Sequence, residues 1–229
     1  EARRSVGDEP GGDAALHLVR AMTELFHGDF AAARSSADAC RQLVRDHGLE
    51  SLDLLMLVIA GWIRLAEGDH AGAEALLREC HERGEAAQGV FFSLTASHIL
   101  AIVLLFQGRF GEAKKASDHA LSANSAGGST LFRGIYLIIS GAVHLELGRT
   151  ARAGKDLDTA LALLRKCGAA QQEANAHLMH ARLALRQGDG DGARRYLREG
   201  FSIGRERGFT YYAPLTSGQL RDLASMAIA

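Results

Sequence analysis

Residues 51–80 have the sequence SLDLLMLVIAGWIRLAEGDHAGAEALLREC, in which Gly68 and Asp69 separate two stretches of good helix formers. A glycine in the left-handed conformation closes a helix without a Cβ penalty. An aspartate directly after it can cap the next helix by accepting a hydrogen bond from a free backbone N–H group. The stretch therefore predicts a helix-turn-helix unit.

The same pattern recurs every 40 residues without a change of phase. One column contains only glycine: Gly28, Gly68, Gly108, Gly148 and Gly188. Five residues further on, another contains only alanine: Ala33, Ala73, Ala113, Ala153 and Ala193. Two more columns hold small residues, one formed by Ala21, Gly61, Ala101, Gly141 and Ala181, the other by Cys40, Cys80, Ala120, Ala160 and Gly200. Small side chains at these places allow neighbouring helices to approach closely.

A second set of glycines marks the end of the second helix in each repeat: Gly48, Gly128, Gly168 and Gly208, with Gln88 as the exception. No proline lies between Pro10 and Pro214 to interrupt a helix. We therefore expect an all-α chain with a linker at 1–12, repeats over 13–212 and a C-terminal capping helix at 213–229. The five expected repeats are approximately 13–50, 51–88, 89–128, 129–168 and 169–208.

These columns resemble the tetratricopeptide repeat, as in Gly61, Gly68, Ala73 and Cys80. The usual unit is shorter, about 34 residues, with an aromatic in its first helix and a terminal proline that are mostly missing here. A longer, proline-free unit resembles the MalT-like helical repeats of bacterial transcriptional and signal-transduction regulators, over roughly residues 13 to 212. The resemblance implies a right-handed α-solenoid whose concave groove is lined mainly by first helices.

That groove is where the resemblance places a bound partner. Its expected residues are Met22, Phe26, Trp62, His98, Ile102, Phe106, Arg182 and Arg186. The chain has a single tryptophan, Trp62, which is a candidate binding anchor or an ordinary packing residue. The alternative is a polar face of the same helices, formed by His17, Arg20, Glu24, Arg64, His144, His177 and His180.

Chemistry-bearing motifs are missing from the sequence. It contains no GxSxG or HExxH motif, and the three cysteines have no metal-ligand spacing. His177 and His180 lie three residues apart but lack a third ligand at a recognised interval, which favours an exposed polar face over a metal site. We therefore predict no catalytic residue, no bound metal and no cofactor.

Charge and hydropathy restrict the partners. The formal net charge is −1, which gives no field that would attract nucleic acid or an acidic membrane. The apolar stretch 90–107 approaches the length of a membrane span, but Ser93, Thr95 and Ser97 interrupt it and it is in phase with the repeat. We expect a buried central helix and, from the unpaired cysteine count, a cytoplasmic protein.

The leading hypothesis is a regulatory domain of a bacterial transcription or signalling protein that binds a protein, a peptide or a small effector. The alternative is a stand-alone assembly scaffold or chaperone-like adaptor. A third hypothesis, an accessory domain of an enzyme, has no motif in its favour. We also expect the groove or an apolar array end to be covered by a second copy or by a neighbouring domain.

Overall fold

The computed structural model describes residues 10–49, 52–124 and 128–228, and over these ranges every regular element is an α-helix. The helices are α1 Pro10–Phe26, α2 Phe30–Asp46, α3 Asp53–Ala66, α4 His70–Ala86, α5 Val90–Phe106, α6 Phe110–Asn124, α7 Thr130–Glu146, α8 Thr150–Cys167, α9 Ala170–Arg186, α10 Gly190–Arg207 and α11 Ser217–Ile228. The odd-numbered helices α1 to α9 are the first helices of the repeats. The predicted all-α fold of paired helices is confirmed.

The chain forms two compact units, Glu1–Ile99 and Leu100–Ala229, which we call the N-terminal and C-terminal units. In the N-terminal unit, α1 packs on α2, α3 packs on α4, and α3 also contacts α1 and α2. In the C-terminal unit, α7 packs on α8 and α9 on α10, while α9 also contacts α7 and α8. Each first helix in these contacts therefore lies beside second helices on one side and another first helix on the other.

Glycine closes most of the turns in the left-handed conformation. The five glycines at the 40-residue interval have φ between 72° and 84°, for example 84° at Gly68. Gly48, Gly168 and Gly208 also have positive φ, and Gln88 adopts a φ of 54° at the corresponding turn. The predicted turn at Gly128 follows residues 125–127, which lie outside the described residues.

Aspartates cap three second helices directly after these glycines. The carboxylate of Asp29 accepts a hydrogen bond from the N–H of Ala32 at 3.0 Å, and that of Asp69 from Gly72 at 2.9 Å. Asp189 makes the same bond to Gly192 at 2.8 Å. These bonds satisfy backbone donors that a helix start leaves without a partner.

The small-residue columns lie where two helices of one repeat touch. A Cβ added at Gly141 on α7 would lie 2.7 Å from Cγ of Leu157 on α8, and one at Gly61 on α3 would lie 2.9 Å from Cγ of Leu77 on α4. Such separations are far inside van der Waals contact. In these two repeats the missing Cβ atoms provide the space that the two leucines fill.

The ends of the chain differ in detail from the expected boundaries. Helix α1 begins at Pro10, inside the segment 1–12 that we expected to be a linker, and proline is well suited to a first helical position. Residues 1–9 of that segment lie outside the described residues. At the other end, α11 begins at Ser217 rather than at residue 213, and residues 209–216 form a non-helical connection.

The apolar stretch 90–107 forms α5, whose residues from Ser93 to Leu104 are buried except for Thr95. Over the residues with an assigned place in the structure, none of the helices combines the length and the apolar character needed to cross a membrane.

Candidate functional site

A row of three rings, which we call the aromatic ladder, crosses the first helices of the N-terminal unit. Phe26 on α1 meets Trp62 on α3 with ring centroids 6.0 Å apart and planes at 89°. Trp62 in turn meets His98 on α5 at 6.3 Å and 55°. Edge-on and tilted arrangements of this kind are favourable for aromatic pairs. Three residues from the predicted groove are therefore adjacent.

Consecutive members of the ladder are 36 residues apart in the sequence. This is one 40-residue repeat less about one helical turn. The offset means that a first helix meets the next first helix one turn closer to its N-terminus, as expected for helices that cross at an angle. Contacts along this surface therefore connect residue i with residue i + 36.

The open part of the ladder is apolar. Met22, Phe26 and Trp62 are half-buried, and Met22 and Trp62 pack against the core of the N-terminal unit. His98 is buried, and its burial lowers the pKa of the imidazole to about 3, so the ring is neutral at physiological pH. Met22, Phe26 and Trp62 thus form a rigid, uncharged surface, while His98 supports it from inside.

The C-terminal unit repeats the same offset with charged residues. Arg182 on α9 donates a hydrogen bond of 2.5 Å to the carboxylate of Glu146 on α7, 36 residues earlier. Arg186 on α9 lies 3.4 Å from the other carboxylate oxygen of Glu146. Both arginines of the predicted basic end therefore share one acidic partner. Sequence reasoning missed Glu146, which the 36-residue offset from Arg182 would have identified.

Phe106 of the predicted groove and Ala142 are another pair separated by 36 residues. Together with Glu146 and Arg182 they line a cavity of about 20 Å³. Pro214 and Gln219, from the C-terminal end of the chain, form part of the same wall. A cavity of this size has room for roughly one water molecule.

Ile102 does not line an open groove. Its side chain is buried, as are its neighbours from Ala96 to Leu104 on α5. The prediction that Ile102 is available to a partner is therefore wrong.

The alternative polar face is divided between surface and interior. In the N-terminal unit it holds exposed ion pairs, since Arg20 lies 3.4 Å from Glu24 and Arg64 lies 2.5 Å from Asp69. Glu24 also accepts a hydrogen bond of 2.7 Å from the hydroxyl of Ser36 on α2. His17, on the same helix, is half-buried. This part of the face borders the second helix.

The histidines of that face in the C-terminal unit are buried, which corrects the expectation of an exposed surface. His177 on α9 lies 3.2 Å from Glu199 on α10, and its Nε2 lies 3.2 Å from the guanidinium of Arg165 on α8, which is the donor. His180 stacks on Tyr196 with centroids 4.7 Å apart. The reason is topological: this side of α9 packs between α8 and α10.

Burial also controls the protonation of these histidines. It lowers the pKa of His177 and His180, although Glu199 and Asp158 oppose the effect on each. His144 on α7 is buried near Asp156 at 3.9 Å, and burial lowers the pKa of its imidazole as well. Among the described residues, no group of three or more His, Cys, Asp or Glu side chains could hold a metal ion.

Two of the three cysteines have a packing role. The thiol of Cys40 donates to the carbonyl of Ala14 at 3.2 Å, and that of Cys80 to the carbonyl of Leu54 at 3.4 Å, the same bond in consecutive repeats. Burial raises the pKa of Cys80 to about 11. Both thiols are therefore protonated and unreactive near neutral pH.

Three segments of the chain match the tetratricopeptide repeat family model: residues 57–79, 94–114 and 174–199. These three segments are similar to tetratricopeptide repeats. The matched segments lie on α3 and α4, on α5 and α6, and on α9 and α10. In each segment the match begins in a first helix and ends in the second helix of the same repeat.

One solved structure shows the same fold. The crystal structure of BtubC (BKLC) from P. vanneervenii has a TM-score of 0.60 at 18% identity, covering 86% of this chain and 80% of that one. A tetratricopeptide repeat protein from Parabacteroides merdae has a TM-score of 0.47 at 17% identity, covering 94% of this chain and 73% of that one. None of the curated proteins matches the sequence.

Proposed function

We propose that this chain is a non-catalytic module that binds a protein or peptide segment on the aromatic ladder of its N-terminal unit. The observation that carries the proposal is the contact between Phe26 and Trp62, half-buried aromatic side chains on two neighbouring first helices. The half-buried Met22 lies one turn before Phe26 on α1. Tetratricopeptide repeats use the faces of such helices as extended binding surfaces.

The chemistry of the ladder favours an apolar segment. Aromatic side chains give large contact areas at low cost in conformational entropy and are frequent anchors of interfaces. The packing of Trp62 between Phe26 and His98 holds the indole in place before a partner arrives. A partner that presents one or two apolar side chains in a row would cover this surface.

We favour a peptide over a small effector for the N-terminal unit, because its described cavity is small. A cavity of about 80 Å³ lies between α2 and α3, lined by residues that include Arg34, Arg64 and Glu67. Small-molecule sites usually enclose about 300 Å³ or more. The acidic and basic side chains in this cavity also pair with each other, since Arg34 bonds to Glu67.

We place the module in a cytoplasmic regulator of transcription or signalling. The support is the resemblance of its 40-residue, proline-free repeats to the MalT-like helical repeats, together with the free thiols of Cys40, Cys80 and Cys167. A stand-alone scaffold or adaptor is the second candidate. An ATPase or DNA-binding domain encoded in the same gene would favour the regulator, and a free-standing gene would favour the scaffold.

The test is a selection of short random peptides on the full chain, followed by titration of the selected peptides. Trp62 is the single tryptophan, so its fluorescence reports directly on the ladder. We expect Phe26→Ala and Met22→Ala to weaken binding by about tenfold or more. Leu16→Ala is the matched control, because Leu16 lies on α1, is 62% exposed and is outside the ladder.

Equal affinities for the Phe26→Ala and Leu16→Ala variants would contradict the proposal. Peptides that bind without any change in Trp62 fluorescence would also contradict it, since binding on the ladder must alter the surroundings of the indole.

A further inference from the structure

The chain turns back after α10 and buries a short apolar segment. Tyr212, Ala213, Pro214 and Leu215 are all buried, although they belong to no helix. A connection on a protein surface is usually exposed. The burial of four consecutive residues therefore shows that this segment packs against other parts of the chain.

Specific contacts hold the segment in place. The backbone carbonyl of Tyr211 accepts a hydrogen bond of 3.3 Å from the amide of Gln171 on α9. The ring of Tyr212 meets Phe201 on α10 edge-on, with centroids 6.2 Å apart. Its hydroxyl donates to the carbonyl of Phe209 at 2.9 Å, and a Cβ at Gly204 would collide with that hydroxyl.

Pro214 is the residue of this segment that lies beside the first helices. It lines the same small cavity as Ala142 and as Phe106 and Arg182 of the expected partner groove. Gln219, in the first turn of α11, also lines that cavity. The segment thus occupies in the C-terminal unit the kind of surface that the aromatic ladder leaves open in the N-terminal unit.

The helix that follows is weakly anchored. Thr216 and Gln219 cap its start reciprocally, with bonds of 3.1 and 3.2 Å between side chains and backbone N–H groups. Over residues 217–226, Leu223 is the buried side chain, and the others are half-buried or exposed. A helix of 12 residues is marginal by itself, so the stability of α11 depends on Leu223 and on the cap.

We infer that residues 211–219 are an exchangeable internal ligand of the C-terminal unit, and that this groove is a second peptide-binding surface. The external segment that replaces them is apolar and contains proline, as the internal one does. It needs no charge, because Glu146 already pairs with Arg182 beneath it. The inference rests on the proposed function in one respect, that first-helix surfaces of this chain bind peptides.

The experiment uses the full chain and a fluorescein-labelled peptide with the sequence of residues 209–228. Because the attached copy is present at a high effective concentration, the unaltered chain should bind the free peptide weakly. Leu223→Ala weakens the attached copy without altering the groove. We expect this variant to bind the labelled peptide about tenfold more tightly.

Two further variants, made in the Leu223→Ala background, locate the site. Phe106→Ala should weaken binding of the labelled peptide by about tenfold relative to Leu223→Ala alone, because Phe106 lines the groove. Phe132→Ala is the matched control, since Phe132 is a half-buried phenylalanine of α7 outside that groove. Equal effects of the two substitutions would overturn the inference.

Amide hydrogen exchange distinguishes release of the C-terminal segment from unfolding of the whole C-terminal unit. Leu223→Ala should accelerate amide exchange in residues 209–228 and leave α7 to α10 protected. Acceleration throughout the C-terminal unit, or equal peptide affinity of the unaltered and Leu223→Ala chains, would overturn the inference. These readouts use the chain's own sequence, so they are independent of whether selected peptides bind the ladder around Trp62.

Discussion

The carboxylate of Glu146 on α7 lies 2.5 Å from the guanidinium of Arg182 on α9, and the two side chains are only 17% and 13% exposed. Arg186 lies 3.4 Å from the same carboxylate but is 54% exposed. Removing one partner from a buried pair leaves an uncompensated buried charge, so loss of Arg182 should cost more stability than loss of the exposed Arg186. Because one carboxylate faces two arginines, this point of the C-terminal groove keeps an excess positive charge, carried by the exposed Arg186.

We expect Arg182→Met to lower the free energy of unfolding by about 1–3 kcal/mol, because it leaves a mostly buried carboxylate without its nearest cation. Arg186→Met should change it by less than about 0.5 kcal/mol. Urea denaturation measures both values. If the two variants lose equal stability, burial does not distinguish the two pairs.

Gly141→Ala should destabilise the protein by about 1–3 kcal/mol, because the new Cβ would lie 2.7 Å from Cγ of the fully buried Leu157. Gly154→Ala on α8 is the control. A Cβ there would lie 3.4 Å from the nearest side-chain atom, and alanine favours a helix by about 1 kcal/mol over glycine. Thermal unfolding should therefore give opposite signs for the two changes.

The turn at Gln88 offers a stabilising substitution. Its φ of 54° is one that glycine adopts without strain, so Gln88→Gly should raise the free energy of unfolding by about 0.5–1 kcal/mol. Gly148→Ala should lower it by a similar amount through backbone strain alone, since no atom lies within 4 Å of the added Cβ. Chemical denaturation of the two variants tests the assignment of both turns.

Stability should fall with pH below about 6.5, the ordinary pKa of histidine. In the folded state the pKa of His98 is about 3. Between about pH 3 and pH 6.5, the unfolded chain therefore binds a proton at His98 that the folded chain does not. The contribution of neutral His98 is complete above pH 6.5 and is lost as the pH falls towards 3. The limiting slope is about 1.4 kcal/mol per pH unit for one histidine.

His98→Met should reduce that slope, because methionine fills similar space and binds no proton. Buried His144, His177 and His180 also have lowered pKa values, so part of the slope remains. Urea unfolding at several pH values between 7 and 4 compares the two chains. Parallel stability curves would show that His98 does not titrate in this way.

Local signals were enough to predict the turns and the caps. The positive φ of Gly68 and the bond from Gly72 to Asp69 depend on residues that are neighbours in the chain. The close packing of Gly141 on Leu157 could also be expected, because a strict repeat requires the same helix contact in each copy. For these features the sequence contains all the interacting parts.

Other features depend on residues that are distant in the chain. His177 and His180 show a polar spacing typical of an exposed face, yet α8 and α10 cover them. Pro214 looks like the residue that ends the repeat array, yet it reaches Phe106 and Ala142, far earlier in the sequence. No local pattern encodes which of several apolar or polar surfaces a later segment will cover.

A chain of paired helices with a 40-residue period could be predicted from the residues alone, because glycine conformation, helix capping and close helix contact are properties of a few neighbouring residues. Which first-helix surfaces are open depends on the folded chain. The crossing of the helices places residue i against residue i + 36, and the returning C-terminal segment covers one such surface while Met22, Phe26 and Trp62 remain half-exposed.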